Sequence, residues 1–373
     1  MSESKPEENN AGSSLNSKTN IEPDSKPDSK PDSKPDNNSK SDNIINGKKA
    51  DKSVILAVPR GFCAGVDRAI LTVSRLLENS AAEPKKTNLP PVYVRRQIVH
   101  NRHVVADLSE RGAVFVNELD EIPDEAAEAK IPVVFSAHGV SPAVVEEAQR
   151  RGLNVIDATC PLVGKVHREV LRYAKEGYSI VYIGHKGHDE AIGVIGEAPE
   201  NVTLVQNRED VKKLVFPDGT PLVCLSQTTL SAEETEDTVA ALKKKFPSIK
   251  QPSNSDICYA THNRQAAIKQ IAEKSSCVIV VGSQNSSNSV RLVEVAQQEL
   301  ANRGKAFLVD DAEELKDEWF ENAETVGVSS GASVPDVLVD EVVLALKKRG
   351  FKNVKTLTAV EENMHFVLPK AVR

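Results

Sequence analysis

The sequence predicts an α/β protein that is built from three similar units with parallel sheets. Short, continuous apolar runs alternate with longer stretches in which apolar residues recur every three or four positions. The first pattern is typical of strands buried on both faces of a parallel sheet, and the second is typical of amphipathic helices. Cys63, Cys160 and Cys258 stand at near-equal intervals of 97 and 98 residues, each before a helical pattern. These intervals favour three units that each carry one cysteine at a strand-to-helix turn.

The size and composition are those of a multidomain globular protein. The chain has 373 residues, of which 39% are hydrophobic and 27% are charged, and a chain of this length is expected to form two or three domains. The formal net charge of −7 gives no reason to expect a nucleic acid or an anionic membrane as a partner. No apolar run has the length of a membrane span, and the N-terminus lacks the apolar core of a signal peptide. We therefore expect a cytoplasmic protein of bacterial type.

Residues 1–50 are predicted to form a disordered tail. They contain no aromatic residue and few aliphatic ones, and residues 25–36 repeat the tetrapeptide Ser-Lys-Pro-Asp three times. Such a segment buries too little apolar surface to offset the entropy that is lost on ordering. The alternative is an organellar transit peptide, but those segments are rich in arginine and poor in acids, whereas the first arginine of this chain is Arg60.

After the tail, a series of short apolar segments is predicted to form buried strands. They cover residues 54–58, 92–95, 133–135, 154–156, 179–183, 222–225, 277–281 and 325–328. A weaker apolar segment, residues 256–257, precedes Cys258. Helical spacing follows the first two cysteines, with apolar residues at positions 66, 70, 73, 76 and 77 and at positions 163, 166 and 170. The predicted units are residues 51–158, residues 159–255, and residues 256–373 with a C-terminal segment.

The five cysteines, in a chain without a secretory signal, indicate a reducing compartment rather than a disulfide framework. Cys224 and Cys277 lie inside apolar strand patterns and are predicted to be buried structural thiols. Cys63, Cys160 and Cys258 instead lie among turn residues at predicted helix starts, where the helix dipole favours a thiolate. They are therefore candidates for one shared metal site, and the alternative is that they are structural thiols as well.

The ligand pattern favours an iron–sulfur cluster over zinc. Structural zinc prefers four protein ligands, usually in closely spaced pairs of cysteines, and this sequence has no such pair. Three thiolates on a cubane cluster leave one iron without a protein ligand, and that iron can bind a substrate as a Lewis acid and also pass electrons. A catalytic zinc with three cysteine ligands remains the alternative, although it could not carry out redox chemistry.

Polar residues follow several of the predicted strands at their carboxyl ends, which is where open α/β sheets bind ligands. Three of the eight histidines have this placement, as have an acid and a group of amide and hydroxyl residues: His100, His138, His188, Glu190, Gln227, Thr228 and Thr229. Segments 282–289 and 329–333 follow further strands and present hydroxyl and backbone N–H groups at predicted helix starts, which suits a phosphate. Simple helix capping by serine and asparagine is the alternative for both segments.

Seven longer motifs run in order along the chain. They are Pro-Arg-Gly-Phe-Cys-Ala-Gly-Val-Asp-Arg-Ala at 59–69, Val-His-Asn-Arg at 99–102, Phe-Ser-Ala-His-Gly-Val-Ser at 135–141, Asp-Ala-Thr-Cys-Pro-Leu-Val at 157–163, Gln-Thr-Thr-Leu-Ser at 227–231, Asp-Ile-Cys-Tyr-Ala-Thr at 256–261 and Gly-Ser-Gln-Asn-Ser-Ser-Asn-Ser at 282–289. With them, residues 54–372 resemble the family of 4-hydroxy-3-methylbut-2-enyl diphosphate reductases, which act last in the methylerythritol phosphate route to isoprenoids. The tail is outside the resemblance.

The resemblance implies a trefoil-like arrangement of the three α/β units around one central [4Fe–4S] cluster, ligated by Cys63, Cys160 and Cys258. The unique iron would bind the hydroxyl of a small diphosphate substrate. Two electrons from a protein of ferredoxin or flavodoxin type, together with protons, would then give isopentenyl and dimethylallyl diphosphate. The implied catalytic residues are Glu190 as the proton source, Thr228 as the group that holds the substrate hydroxyl, and His188. The implied substrate-binding residues are His100, His138, His188, Thr228, Ser286, Ser287, Asn288 and Ser333.

Two other functions remain open at this point. A hydro-lyase would use the same open iron only as a Lewis acid, and would turn over without an external electron donor. A cluster-based redox sensor or RNA-binding switch would need a basic face, which the acidic balance of the chain disfavours.

Overall fold

The computed structural model of the protein describes residues 52–82, 88–251 and 255–373. The predicted tail, residues 1–50, lies outside the described residues. The strands are β1 (Ser53–Val58), β2 (Val92–Arg95), β3 (Ala113–Val116), β4 (Pro132–Phe135), β5 (Asn154–Asp157), β6 (Ser179–Ile183), β7 (Val202–Val205), β8 (Leu222–Ser226), β9 (Cys277–Val281), β10 (Lys305–Val309), β11 (Thr325–Ser330) and β12 (Asn353–Thr358). The α-helices are α1 (Ala64–Ala82), α2 (Arg102–Glu110), α3 (Asp124–Glu128), α4 (Pro142–Arg150), α5 (Pro161–Lys175), α6 (Asp189–Glu197), α7 (Arg208–Lys213), α8 (Ala232–Lys245), α9 (Tyr259–Ala272), α10 (Ser287–Leu300) and α11 (Asp336–Lys348). None of these helices is both long and apolar enough to cross a lipid bilayer.

Among the described residues, the strands form three sheets, and every pair of neighbouring strands is parallel. The strand orders are β3-β2-β4-β5, β7-β6-β8 and β10-β9-β11-β1-β12. Helices between successive strands supply the crossovers that parallel pairing requires. The predicted α/β class with parallel sheets is therefore confirmed.

The sequence pattern found the inner strands and missed most of the outer ones. All the predicted strands are present, and β2, β6 and β9 have the predicted bounds. The strands that the pattern missed are β3, β7, β10 and β12, and each lies at an edge of its sheet. An edge strand is partly exposed, as the burial of β12 and β10 shows, so its sequence is not a continuous apolar run. Residues 256–257, in contrast, form no strand, so Cys258 lacks the preceding strand that the comparison of the three units suggested.

The first strand lies in an unexpected sheet. The predicted first unit, residues 51–158, included residues 54–58, but β1 pairs with β11 and β12 in the five-stranded sheet. The next element, α1, does belong to the first unit, because Ala69 and Val73 pack with Val94 of β2 and Val134 of β4. The boundary at residue 51 therefore does not match sheet membership, since hydrogen bonding between distant strands assigns β1 to the last sheet.

Each of the three cysteines stands where the chain leaves one apolar core and enters the next. Cys63 lies between β1 of the five-stranded sheet and α1, which packs on the four-stranded sheet. Cys160 lies between β5 of the four-stranded sheet and α5, which packs with β6. Cys258 precedes α9, whose Ile268 packs with Val278 of β9. The near-equal cysteine spacing thus reflects three passages between sheets.

Candidate active site

One cavity is lined by residues from loops and helix starts that follow strands of all three sheets. The cavity has a volume of about 90 Å³. Every site residue predicted from the sequence lines this cavity: Cys63, His100, His138, Cys160, His188, Glu190, Thr228, Cys258, Ser286, Ser287, Asn288 and Ser333. Residues as distant in sequence as Cys63 and Ser333 therefore share one chemical environment.

The three thiols converge on the same end of this cavity. Cys160 and Cys258 are the N-caps of α5 and α9, and Cys63 directly precedes α1. A Cβ atom placed on Gly65 would lie 2.6 Å from the Cys160 sulfur and 3.9 Å from the Cys63 sulfur. Glycine at position 65 therefore leaves room for the Cys160 sulfur, which a side chain would displace, and the Cys63 sulfur lies at ordinary contact distance from the same point. The Cys258 sulfur accepts a hydrogen bond from the Thr261 N–H at 3.4 Å in the first turn of α9.

These thiols fit a metal centre of the iron–sulfur type. All five cysteines of the chain are free thiols, so no disulfide competes for Cys63, Cys160 or Cys258. Burial raises the pKa of Cys160 to about 12, although N–H groups at the start of α5 lower it, and the charges of Cys63 and Cys258 add to the rise. Burial also raises the pKa of Cys258 to about 11. Thiolates so placed need a bound cation to neutralise them, and a metal centre displaces their protons.

Three histidines form a tight cluster on another wall of the cavity. The rings of His100 and His138 stack with centroids 4.0 Å apart, and the His188 ring meets them edge-on at 5.2 and 5.8 Å. The outer ring nitrogens are held, because Nδ1 of His100 lies 3.3 Å from the Gln97 side-chain oxygen and Nδ1 of His138 lies 3.3 Å from the Ser136 hydroxyl. Nε2 of His100 is buried and has no hydrogen-bond partner among the described residues.

The three histidine side chains are neutral in the absence of a bound anion. Burial lowers the pKa of His138 well below its ordinary value, and the neighbouring His100 and His188 charges lower it further. Burial, followed by the charge of His100, lowers the pKa of His188 to about 4. Three imidazolium ions cannot stand this close together without a counter-charge. An anion of several charges, such as a diphosphate, would supply that counter-charge.

The Asp189 carboxylate lies beside the histidines, and an ion pair balances its negative charge. One ligand atom each of His100, His138 and Asp189 lies within 4.8 Å of the others, and these are donor types that also bind metal ions. The Asp189 carboxylate, however, forms an ion pair with Arg96, which also pairs with Glu118 at 2.9 Å. This pairing removes the repulsion that Asp189 would otherwise exert on an anion bound to the histidines.

Glu190 is buried against Thr228 with both carboxylate oxygens bonded. The Thr228 N–H donates to Oε1 at 2.7 Å, and the Thr228 hydroxyl donates to Oε2 at 3.0 Å. Burial raises the pKa of Glu190 to about 7, even though both bonds from Thr228 lower it. The carboxylate faces Thr228 at the cavity wall and forms no ion pair with the nearby Lys186. A carboxyl group of this kind can hold or release a proton near neutral pH.

Hydroxyl and amide groups complete the wall opposite the thiols. Ser286 is the N-cap of α10, and the Ser287 hydroxyl lies 3.1 Å from that of Thr229. Both polar side-chain atoms of Asn288 are buried and have no hydrogen-bond partner among the described residues. Buried polar groups without partners are costly, so Asn288 and His100 Nε2 suit a polar ligand.

The segment around Ser333 differs from the prediction. The sequence suggested that residues 329–333 open a helix, but β11 continues to Ser330 and α11 begins only at Asp336. Ser333 therefore offers no helix N-terminus, and its hydroxyl donates to the His100 carbonyl at 3.0 Å. It lines the cavity from a turn and holds the backbone of one of the clustered histidines.

Two residues that support the site, Gln227 and Tyr259, were not among the predicted site residues, although Gln227 was noted from the sequence as a polar residue at a strand end. Gln227 accepts a hydrogen bond from the His185 N–H at 3.0 Å and donates to the Thr229 hydroxyl at 2.8 Å. The Tyr259 hydroxyl accepts a 3.4 Å hydrogen bond from the Ala64 N–H and so connects the start of α1 with that of α9. Adjacency to Thr228 and to Cys258 was the signal that could have drawn attention to them.

Comparisons with known proteins agree with this geometry. The profile of the LytB protein family matches residues 54–347. The chain is 66% identical over 325 residues to a protein of Bifidobacterium longum named 4-hydroxy-3-methylbut-2-enyl diphosphate reductase, and the match covers 86% of this chain and 92% of that protein. A protein of the same name from Streptomyces avermitilis is 53% identical, over 86% of this chain and 91% of its own length. The solved E-1-hydroxy-2-methyl-but-2-enyl-4-diphosphate reductase of Plasmodium falciparum matches with a TM-score of 0.79 at 39% identity, covering 86% of this chain and 97% of that one.

Proposed function

The chain belongs to the LytB family and is an oxidoreductase, and from this premise we propose the reaction that it carries out. It reduces 4-hydroxy-3-methylbut-2-enyl diphosphate, with loss of the hydroxyl group as water, to isopentenyl and dimethylallyl diphosphate. This reaction belongs to the methylerythritol phosphate route to isoprenoids. The printed names of relatives that are 66% and 53% identical to the chain support the substrate.

The observation that carries the proposal is the convergence of three thiols, a histidine cluster and a buried carboxyl group on one cavity. Cys63, Cys160 and Cys258 hold a [4Fe–4S] cluster, one per chain. When bound, the cluster would supply an iron without a protein ligand, which could act as a Lewis acid toward the substrate hydroxyl and pass electrons. The three α/β units, residues 51–158, 159–255 and 256–373, are arranged around it as a trefoil, with β1 contributed to the sheet of the last unit.

The diphosphate binds at the wall formed by histidines, hydroxyls and the Asn288 amide. His100, His138 and His188 take up protons as the anion enters, since its charge offsets the repulsion between their rings. Ser286, Ser287 and Asn288 at the start of α10 donate hydrogen bonds, where the helix N-terminus favours negative charge. Ser333 keeps the His100 backbone in place through its 3.0 Å hydrogen bond.

Glu190 and Thr228 handle the protons of the reaction. Loss of the substrate hydroxyl as water and protonation of the remaining carbon skeleton together consume two protons and two electrons. The protonated Glu190 passes a proton to the leaving hydroxyl by way of the Thr228 hydroxyl, which lies 3.0 Å from Oε2. The largely apolar lining of the cavity limits the access of bulk water to this exchange.

The electrons come from a small protein of ferredoxin or flavodoxin type, which the resemblance to the reductase family implies. The substrate and products are small, polar molecules, so no membrane or nucleic acid takes part, and the reaction takes place in the cytoplasm.

Anaerobic purification followed by iron and sulfide analysis tests the proposal. We expect four irons and four sulfides per chain, a spectrum that changes when substrate is added, and product formation only with a reductant. Turnover at the same rate without reductant would indicate a hydro-lyase instead. Zinc in place of iron would overturn the redox function.

A further inference from the structure

A fully buried arginine lies one and a half turns into the helix that follows Cys258. Arg264 is on α9, and its side chain is 0% exposed. Its Nη2 donates to the Gly61 carbonyl at 2.8 Å, and its Nη1 donates to the Ala260 carbonyl at 3.0 Å. Gly61 stands two residues before Cys63, and Ala260 stands two residues after Cys258. One planar guanidinium group thus connects the loop before Cys63 with the first turn of α9, the helix that Cys258 caps.

The counter-ion of this arginine comes from the C-terminal segment. Glu362 accepts hydrogen bonds from Nη1 of Arg264 at 3.1 and 3.2 Å, and from the Asn263 amide at 3.0 Å. The side chain of Glu362 is 15% exposed. Glu362 lies beyond residue 347, where the match to the family profile ends. A residue outside the matched region therefore neutralises the charge that connects the two loops.

Gly61 is fixed from its other side as well. Its N–H donates to the Ser330 hydroxyl at 2.8 Å, and its φ of +68° places it in the left-handed region that favours glycine. A Cβ atom at this position would lie 2.8 Å from the Asp336 carboxylate. The Ser330 hydroxyl and the nearby Asp336 carboxylate therefore restrict the backbone before Cys63. The hydrogen bond from Arg264 to the Gly61 carbonyl restricts it further.

We propose that Arg264 and Glu362 form a positioning pair that fixes the distance between the Cys63 and Cys258 loops and sets the charge next to the metal centre. The inference rests on the cluster of the proposed function. A guanidinium group presents its donors in a rigid planar fork that reaches separated acceptors, whereas the three donors of an ammonium group radiate from a single nitrogen. Ligands of a metal centre bind well only when supporting bonds hold them in place.

The charges of the pair give opposite and measurable effects. A cluster gains one negative charge on reduction, so a nearby positive charge favours the reduced state and a nearby negative charge disfavours it. Glu362→Gln leaves the Arg264 charge uncompensated and should shift the midpoint potential to more positive values. Arg264→Gln removes the positive charge, so its potential should shift to more negative values. A purely structural role would not give shifts of opposite sign.

A third variant separates the effect of the Arg264 hydrogen bonds from the effect of its positive charge. Arg264→Lys keeps the charge but cannot bond to Gly61 and Glu362 together, so its potential should stay near that of the wild type. Its iron should pass to a chelator about 10- to 100-fold faster, as is usual when the support of a metal ligand is lost. Arg151→Gln is the matched control. Arg151 is 11% exposed and bonds to the Leu119 and Ile122 carbonyls and to Asp124, at the end of β5 that is remote from Cys160.

The experiment uses full-length, cluster-loaded protein and measures iron content, iron release and midpoint potential under anaerobic conditions. Opposite potential shifts for Glu362→Gln and Arg264→Gln, with fast iron release from Arg264→Lys, support the proposal. Potential shifts of the same sign, or iron release from Arg264→Lys as slow as from Arg151→Gln, overturn it. If Arg264→Gln does not fold, the other two variants still decide. Wild-type protein that holds no iron would overturn the proposed function, whereas loaded wild type with unaffected variants would overturn only this inference.

Discussion

Glu190 and Thr228 form a doubly hydrogen-bonded pair inside the cavity, at 2.7 and 3.0 Å. Glu190 is 1% exposed, and among the described residues its carboxyl group accepts hydrogen bonds only from Thr228. Burial makes the protonated form accessible near neutral pH, since it raises the pKa to about 7. The pair therefore combines a proton with a hydroxyl group that can carry it to a ligand.

Glu190→Gln should retain the cluster and substrate binding but lose turnover by a factor of about 10² to 10⁴. Glutamine keeps the shape, accepts from the Thr228 N–H and donates to its hydroxyl, but it has no transferable proton. Single-turnover reduction with a chemical electron donor, next to a spectral titration with substrate, measures both properties. Near-normal turnover would remove Glu190 from the mechanism.

The hydroxyl group of Thr228 should matter more than its methyl group. Thr228→Val keeps the volume and the backbone N–H bond to Glu190 but interrupts the proton path, so turnover should fall by about 10² or more. Thr228→Ser keeps the hydroxyl and should retain most of the activity. Equal rates for the valine and serine variants would show that Thr228 only positions Glu190.

Turnover at saturating substrate should decrease as the pH rises through the pKa of Glu190, which is about 7 in the free protein and is raised further by a bound diphosphate. The reasoning is that a raised carboxyl pKa keeps Glu190 protonated below that value, and each pH unit above it reduces the protonated fraction about tenfold. The rate of Glu190→Gln should lack this dependence on pH. A wild-type rate that is constant from pH 6 to pH 9 would contradict the assignment of Glu190 as the acid.

Substrate binding should take up protons at the histidine cluster. In the free protein, burial and mutual repulsion lower the pKa values of His138 and His188, the latter to about 4, so the rings are neutral. A bound diphosphate raises these values, and affinity should therefore weaken as the pH rises through the pKa values of the complex. Calorimetric titration in two buffers of different ionisation enthalpy measures the uptake. His100→Asn should take up fewer protons, whereas equal heats in both buffers for the wild type would refute proton uptake.

Each of Cys63→Ser, Cys160→Ser and Cys258→Ser should lose most of the bound iron, because each removes one thiolate from the shared cavity. Cys224→Ser and Cys277→Ser are the matched controls, since these thiols lie buried within β8 and β9 and outside that cavity. Iron and sulfide analysis of the five variants provides the test. Loss of iron from either control but not from the first three would show that the ligands are assigned wrongly.

Much of the fold could be predicted because a buried strand has a continuous apolar run in its own sequence. Inner strands such as β6 and β9 are apolar on both faces, so their bounds could be read directly. The edge strands β3, β7, β10 and β12 are less continuously apolar in sequence, so they were not predicted. The sheet to which β1 belongs could not be predicted, because its partners β11 and β12 come more than 250 residues later in the chain.

The candidate site, like the fold, could be predicted only in part. The residue types and their places after strands and before helices indicated thiolate ligands, an acid and anion-binding groups, because helix starts and strand ends favour such chemistry wherever they occur. The Ser333 segment shows the limit of this reasoning, since its place relative to α11 differs from the local pattern.

By itself, the sequence determined which chemical groups this protein has and which local structures present them. The tertiary structure alone decided that they meet: Cys63 and Cys160 next to Gly65, Glu190 on Thr228, and Arg264 between Gly61 and Glu362. The physical reason is that strand and helix formation depends on neighbours within a few positions, whereas these contacts form between segments that only the packing of the sheets and helices brings together. Arg264 illustrates this most clearly, because nothing in its local sequence indicates a buried charge, and its partners lie 203 and 98 positions away.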